Sequence, residues 1–187
     1  MGWDVCEDIP GRVRGRRKKR RRVTSEENKR VYERYIGLLN AQDFAALPEV
    51  VDPDRYREIC VGFTPGWVGL PEAVASLEKV VAGIPDLNAR IDEVVSEGEK
   101  VYARLTVRGT NTGRFFGAPP TGRSYEASMF DYARIEEGRI VERVQQSDTL
   151  SQLAQMYGGA ARKAGLAAGA GLLAAVLFAI GRRRGGR

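Results

Sequence analysis

Histidine is absent from this 187-residue chain. Its absence excludes Ser-His-Asp and Cys-His nucleophilic machinery and removes the commonest metal ligand. Cysteine is scarce. Cys6 and Cys60 can build neither a disulfide framework nor a zinc site, which need more ligands at tighter spacing. No long apolar stretch stands near the N-terminus, so no secretory signal is read and the folded part is expected in the cytoplasm. One sign of charge is missing at the other end, where residues 159–187 hold six Lys/Arg and no acid.

What is present falls into three blocks. Residues 1–23 carry nine Lys/Arg against three acids, concentrated in RVRGRRKKRRR (Arg12 to Arg22). Like charges at that density repel one another and bury no core. The tail is therefore predicted to be disordered, either simply solvated or drawn to anionic lipid or nucleic acid. Residues 24–158 reverse the balance, with fifteen Lys/Arg against twenty-one acids. An acidic globular part argues against a specific nucleic-acid partner, and the net +6 of the whole chain belongs to its tails. Residues 159–187 include Ala164 to Ile180, seventeen residues without a polar side chain. As a helix they span roughly 25 Å, short of the ~30 Å hydrocarbon core of a bilayer. This segment, 164–180, is read as an arginine-flanked C-terminal membrane anchor. A helix lying in the interface or docking on a partner is the alternative.

The central block reads as one α+β domain over residues 24–158. Thr24 and Glu27 have the spacing of a capping box, and Val31, Tyr35, Leu38 and Leu39 then recur on one helical face. A short helix is expected over Phe44 to Val50, and Pro71 starts a third that ends at Gly83. Beyond Gly83 the period changes to two. LNARIDEVVSEG, EKVYARLTVRGT, RSYEASMFDYARI and RIVERVQQS alternate as half-buried strands do, and Asp148 is placed to cap a last helix through Met156. Helices followed by a four-strand meander predict a curved antiparallel sheet closing over N-terminal helices.

Several spaced motifs carry a family resemblance. GTNTGRFFGAPPTGR (Gly109 to Arg123), FDYARIEEGRIVER and DTLSQLAQMYG occur in the order found in SnoaL-like polyketide and ester cyclases, and the similarity runs from about Glu26 to Gly158. The resemblance implies the cone-shaped α+β fold of nuclear transport factor 2, whose sheet wraps a pocket. It also implies small apolar or polyketide-like substrates, ring closure by intramolecular aldol condensation without metal or cofactor, and pairing of two copies through the outer sheet face. The family's acid–base aspartate falls on Gln145 here, and the histidine of its G-T-H-T-G motif falls on Asn111.

An aldol closure needs a base for the proton alpha to a carbonyl and donors to hold the enolate. On strand GRIVERVQQS the inward positions are Val141, Arg143, Gln145 and Ser147. A three-residue hairpin at Glu136-Glu137-Gly138 sets Asp131 opposite Arg143 and Met129 opposite Gln145. An Asp131–Arg143 ion pair is thus expected, with the arginine depressing the Asp131 pKa. The pair either neutralises two half-buried charges or orients a substrate carbonyl or carboxylate. The catalytic candidates are Asp131, Arg143 and Gln145. The substrate-binding candidates are Asn111, Met129, Ser147, Phe116 on a lid-like loop, and Trp67 at the rim. Two function classes stay open: a cyclase or isomerase with an altered acid–base set, and a non-catalytic small-molecule binder or membrane-tethered interaction module.

Overall fold

The computed structural model describes residues 24–61 and 66–164, with side chains placed as far as residue 158. The basic tail and most of the apolar 164–180 segment lie outside these described residues. Helix α1 (Ser25–Ala41) opens on the expected capping box: Glu27 N donates to Thr24 Oγ1 at 3.2 Å, and Thr24 N donates to Glu27 Oε2 at 2.8 Å. Asn28, Tyr32, Tyr35 and Ile36 form its buried face. A 3-10 turn follows over Phe44–Glu49, then strand β1 (Arg57–Val61) and helix α2 (Leu70–Gly83), with Pro71 in its first turn. Four longer strands complete the sheet: β2 (Asn88–Glu97), β3 (Lys100–Thr110), β4 (Ser124–Glu136) and β5 (Arg139–Ser147). Helix α3 (Thr149–Ala164) runs past the expected end at Met156, and Asp148 caps it by accepting from Ser151 N at 3.0 Å.

The four-strand meander is present, and the sheet has a fifth member that the sequence reading did not contain. β1 pairs in parallel with β5, giving the order β1-β5-β4-β3-β2. One register also differs from expectation. Glu137 and Gly138 both take positive φ (54° and 81°), so they form a two-residue turn that pairs Glu136 with Arg139. The pairing shifts again between Arg134 and Ile135, where Val141 is the extra residue of a bulge, and Ile140 and Val141 are consecutively buried. Past the bulge Asp131 faces Gln145, Ala133 faces Arg143 and Met129 faces Ser147. Past the bulge the offset from the expected register is two residues, which preserves the sheet face of those side chains; before it the offset is one residue, so Ile135 faces Ile140 in place of Arg139 and Ile140 turns into the core.

The inner face of the sheet packs on α1 and the 3-10 turn through Tyr32, Leu47, Val51, Leu105, Ile135 and Ile140, all almost fully buried. A second cluster beneath α3 comprises Ile84, Phe115, Tyr125, Ala127 and Met156. The connection between β3 and β4 is held against the end of α2 at Gly113. A Cβ there would lie 2.0 Å from the Ala82 carbonyl oxygen, so only glycine permits the approach.

Candidate functional site

Between the two apolar clusters the inner face of the sheet encloses a cavity of about 130 Å³. Its walls are mostly aliphatic and aromatic, including Leu77, Val80, Val107 and Met129, with a short polar stretch where β1 runs beside β5. The parallel pairing sets Glu58 beside Arg143 and Cys60 beside Gln145, and all four side chains reach the cavity. Ser147 and Phe116 also line it.

Arg143 is the hub of this polar group. It is 2% exposed, and its Nη1 donates to Glu58 Oε2 at 3.1 Å. Its Nε donates to Asp131 Oδ2 at 2.9 Å, and its Nη2 lies 2.8 Å from the same oxygen. The expected ion pair is present, but it forms across a diagonal of the ladder, because a long guanidinium side chain spans neighbouring register positions. The guanidinium also lies over the Tyr35 ring, 5.2 Å from its centroid. Tyr32 from α1 donates to Asp131 Oδ2 at 2.8 Å, and Tyr56 donates to Glu58 Oε2 at 2.6 Å. Burial opposes the Arg143 charge, but the fields of Asp131, Tyr35 and Glu58 outweigh it, so the pKa stays well above the usual arginine value.

The electrostatics of Asp131 correct the sequence expectation. Burial raises its pKa, and the lowering by Arg143 and the Tyr32 hydrogen bond does not compensate; the nearby Glu58 charge adds to the rise. All its bonds converge on Oδ2, while Oδ1 is buried without a partner. Its side chain sits behind Arg143 and is not part of the cavity lining. The carboxylate that does reach the cavity is Glu58. Both of its hydrogen bonds fall on Oε2, which leaves Oε1 to a ligand.

The structure therefore brings together Arg143, Gln145, Ser147, Met129 and Phe116 from the sequence-derived set. Three others do not line the cavity: Asp131, behind Arg143, and Asn111 and Trp67. Asn111 is fully buried and braces the connection between β3 and β4: its Nδ2 donates to the Gly113 carbonyl at 2.9 Å, and its Oδ1 accepts from Thr121 N at 3.0 Å. Trp67 is about half exposed and is stacked by the Arg57 guanidinium, 4.8 Å from the ring. Glu58 was missed because REICV is only five residues long. The signal available was its alternation, Tyr56, Glu58 and Cys60 on one face with Ile59 and Val61 on the other.

A curved five-stranded sheet over N-terminal helices, holding a mainly apolar cavity with a buried charged floor, defines a nuclear transport factor 2-like protein. The chain belongs to the SnoaL-like polyketide cyclase family, whose sequence profile it matches over residues 29–156. Among solved structures it is similar to IdmH from Streptomyces antibioticus, provisionally described as a polyketide cyclase, at 28% identity, covering 68% of this chain and 96% of that one with a TM-score of 0.62. A SnoaL-like polyketide cyclase from Agrobacterium tumefaciens gives 25% identity, 71% and 98% coverage and a TM-score of 0.58. An LEH-like epoxide hydrolase from M. tuberculosis shares the fold at 18% identity, 82% and 97% coverage and a TM-score of 0.55. No curated protein sequence gives a significant match.

Proposed function

We propose that this protein binds a small, largely apolar, polyketide-like carbonyl compound and acts on it by cofactor-free acid–base chemistry, as an aldol cyclisation or isomerisation requires. The observation that carries this reading is the placement of one carboxylate, Glu58, and two donor side chains, Arg143 and Gln145, on the floor of an apolar cavity. Glu58 Oε1 takes the proton alpha to the carbonyl. The C–H electron pair moves into an enolate whose oxygen is held by the Gln145 amide and a remaining Arg143 N–H. For ring closure the enolate carbon attacks a second carbonyl of the same molecule, and the new alkoxide recovers the proton from Glu58.

Asp131 holds the guanidinium in place from behind. Because two carboxylates already share Arg143, a neutral carbonyl suits this pole better than a substrate carboxylate.

A simple probe is 2-acetylnaphthalene in D2O, whose methyl protons exchange only through the enolate. Wild-type protein is expected to catalyse the exchange, and Glu58→Gln to slow it by roughly 10²–10⁴-fold. If both proteins bind the ketone and neither exchanges it, the chain is a small-molecule-binding member. That second reading is favoured by one observation, the glutamine at 145.

Two further parts of the proposal concern partners. Pairing of two copies through the outer sheet face is supported by the apolar groups exposed there. Membrane attachment through 164–180 is supported by the apolar sequence alone, since no helix among the described residues is long and apolar enough to cross a membrane.

A further inference from the structure

Beyond Ser147 the cavity is closed by a helix, and the way that helix is attached has no part in the chemistry above. β5 makes its last pair between Ser147 and Met129, whereas β4 reaches on to Ser124 and stays paired with β3 throughout. The outer edge of β4 from Ser124 to Ser128 therefore has no strand beside it, and α3 lies there instead. Asp148 N, just before the helix, donates to Ser128 O at 3.1 Å. Further along, Gln155 Oε1 accepts from Glu126 N at 3.0 Å and Gln155 Nε2 donates to Glu126 O at 2.8 Å. One side-chain amide thus makes both bonds that a residue of a neighbouring strand would make. Gln155 Nε2 also donates to Ser151 Oγ at 3.0 Å, which fixes the amide to its own helix.

An open sheet edge is usually covered along its length. Here the cover is held by a backbone bond at one end, one side chain in the middle, and Met156. That methionine is fully buried among Ile84, Phe115, Tyr125 and Ala127. The same helix sends Gln152 into the cavity wall. The wall next to it is fixed. Phe115 and Ala118 exchange both backbone bonds around Phe116 and Gly117, which take positive φ (47° and 88°). The base of that turn is pressed on the end of α2, where a Cβ on Gly83 would lie 2.9 Å from Arg114 O. Of the two elements that close this end, α3 alone can lift without breaking backbone pairing.

We propose that α3 is the door of the cavity: it swings about Asp148, Gln155 is its latch on Glu126, and small apolar ligands enter and leave through the gap it opens. The inference rests on the reading of the cavity as the ligand site. Glu58, Arg143 and Gln145 stand on β1 and β5, so the floor stays assembled while the door is open.

The test uses the full chain and Gln155→Met, which keeps the length and helix preference of the side chain and removes both bonds. Without ligand, amide exchange followed by NMR should be about ten-fold faster in α3 and at Glu126 N–H, the scale of two such bonds, while the β3 amides keep wild-type protection. Stopped-flow mixing with 1-aminonaphthalene, a small neutral fluorophore that brightens in apolar surroundings, should then show association and dissociation faster by about the same factor. Kd should not change, because the latch is closed in free and bound protein alike. A helix that only stabilises the fold would instead speed exchange in every strand and leave the association rate as it was, and either result overturns the proposal. Faster α3 exchange with unaltered ligand rates overturns it too, since the ligand then takes another route. Failure of the wild-type protein to take up the fluorophore removes the ligand reading of the cavity and the door with it, whereas unchanged α3 exchange beside normal uptake removes the door alone.

Discussion

At the scale of single residues, Arg143 holds two carboxylates and is shared unequally between them. Asp131 receives two of its nitrogens and Glu58 one. Truncating Arg143 to leucine would leave two buried acids facing each other, and is expected to destabilise the fold by about 3–5 kcal/mol in urea melts. The raised pKa of Asp131 has the opposite pH dependence from an ordinary salt-bridged acid. Its contribution to stability is complete below the unfolded value of 3.8 and is lost as pH climbs through the higher folded value. The stability of Asp131→Asn relative to wild type should therefore improve with pH above 3.8; a flat or falling difference would refute the assignment. Burial likewise pushes the Cys60 thiol up to about 12. In a Cys6→Ser background, alkylation of the folded protein should be slow at neutral pH and accelerate steeply towards pH 12. An alkylation midpoint near an ordinary thiol value would contradict the burial of Cys60 in the wall.

At the scale of elements, most of the fold was legible because period and caps are local. Thr24 and Glu27 announce α1, Pro71 announces α2, Asp148 announces α3, and alternation marks the four long strands. Arg143, Gln145 and Ser147 of the inward set on β5 also survived a wrong register, since past the bulge a two-residue slip leaves each side chain on its own face. What could not be read was non-local. Whether Glu137-Gly138 is a two- or three-residue turn depends on where Val141 bulges, and that depends on the packing of Ile140 and Val141 against the core. β1 has five residues and becomes a strand only by lying beside β5, so the carboxylate that reaches the cavity arrived unannounced. Asn111 was misplaced for a related reason: its motif position suits a pocket, but the tight approach of Gly113 to α2 turns it into a brace. Gly113→Ala must push the connection off Ala82 and is expected to cost about 1–3 kcal/mol, read as a lower melting temperature.

At the scale of the whole molecule, the two sheet faces are unlike. Opposite the cavity, Val95, Tyr102 and Phe130 are each about half exposed or more. With Tyr132 and Val144 they line a groove of about 330 Å³, with the rings of Tyr102 and Tyr132 in contact at 5.2 Å. Apolar area of this kind is what a self-complementary interface buries. If two copies pair there, Phe130→Glu should convert a dimer to monomer in sedimentation velocity without altering ketone binding. A wild-type protein that sediments as monomer at all concentrations would end that proposal. Removal of residues 159–187 tests the tail in the same way: equal partitioning of full and truncated chains between membrane and soluble fractions would exclude an anchor.

The short parallel strand at the sheet edge has a kinetic consequence. The bond between Glu58 and Arg143 closes a span of 85 residues, and β1 is held by five paired positions. With β1 detached, Asp131 and Arg143 remain a neutral couple. Attaching β1 brings a second negative charge out of water, so this junction gains less from docking than an apolar strand would. Opening of β1 should therefore be the cheapest excursion of the sheet, visible as the fastest amide exchange among the five strands. Each opening withdraws Glu58 from the floor of the cavity and lets water in, so the proposed base is periodically reset by solvent.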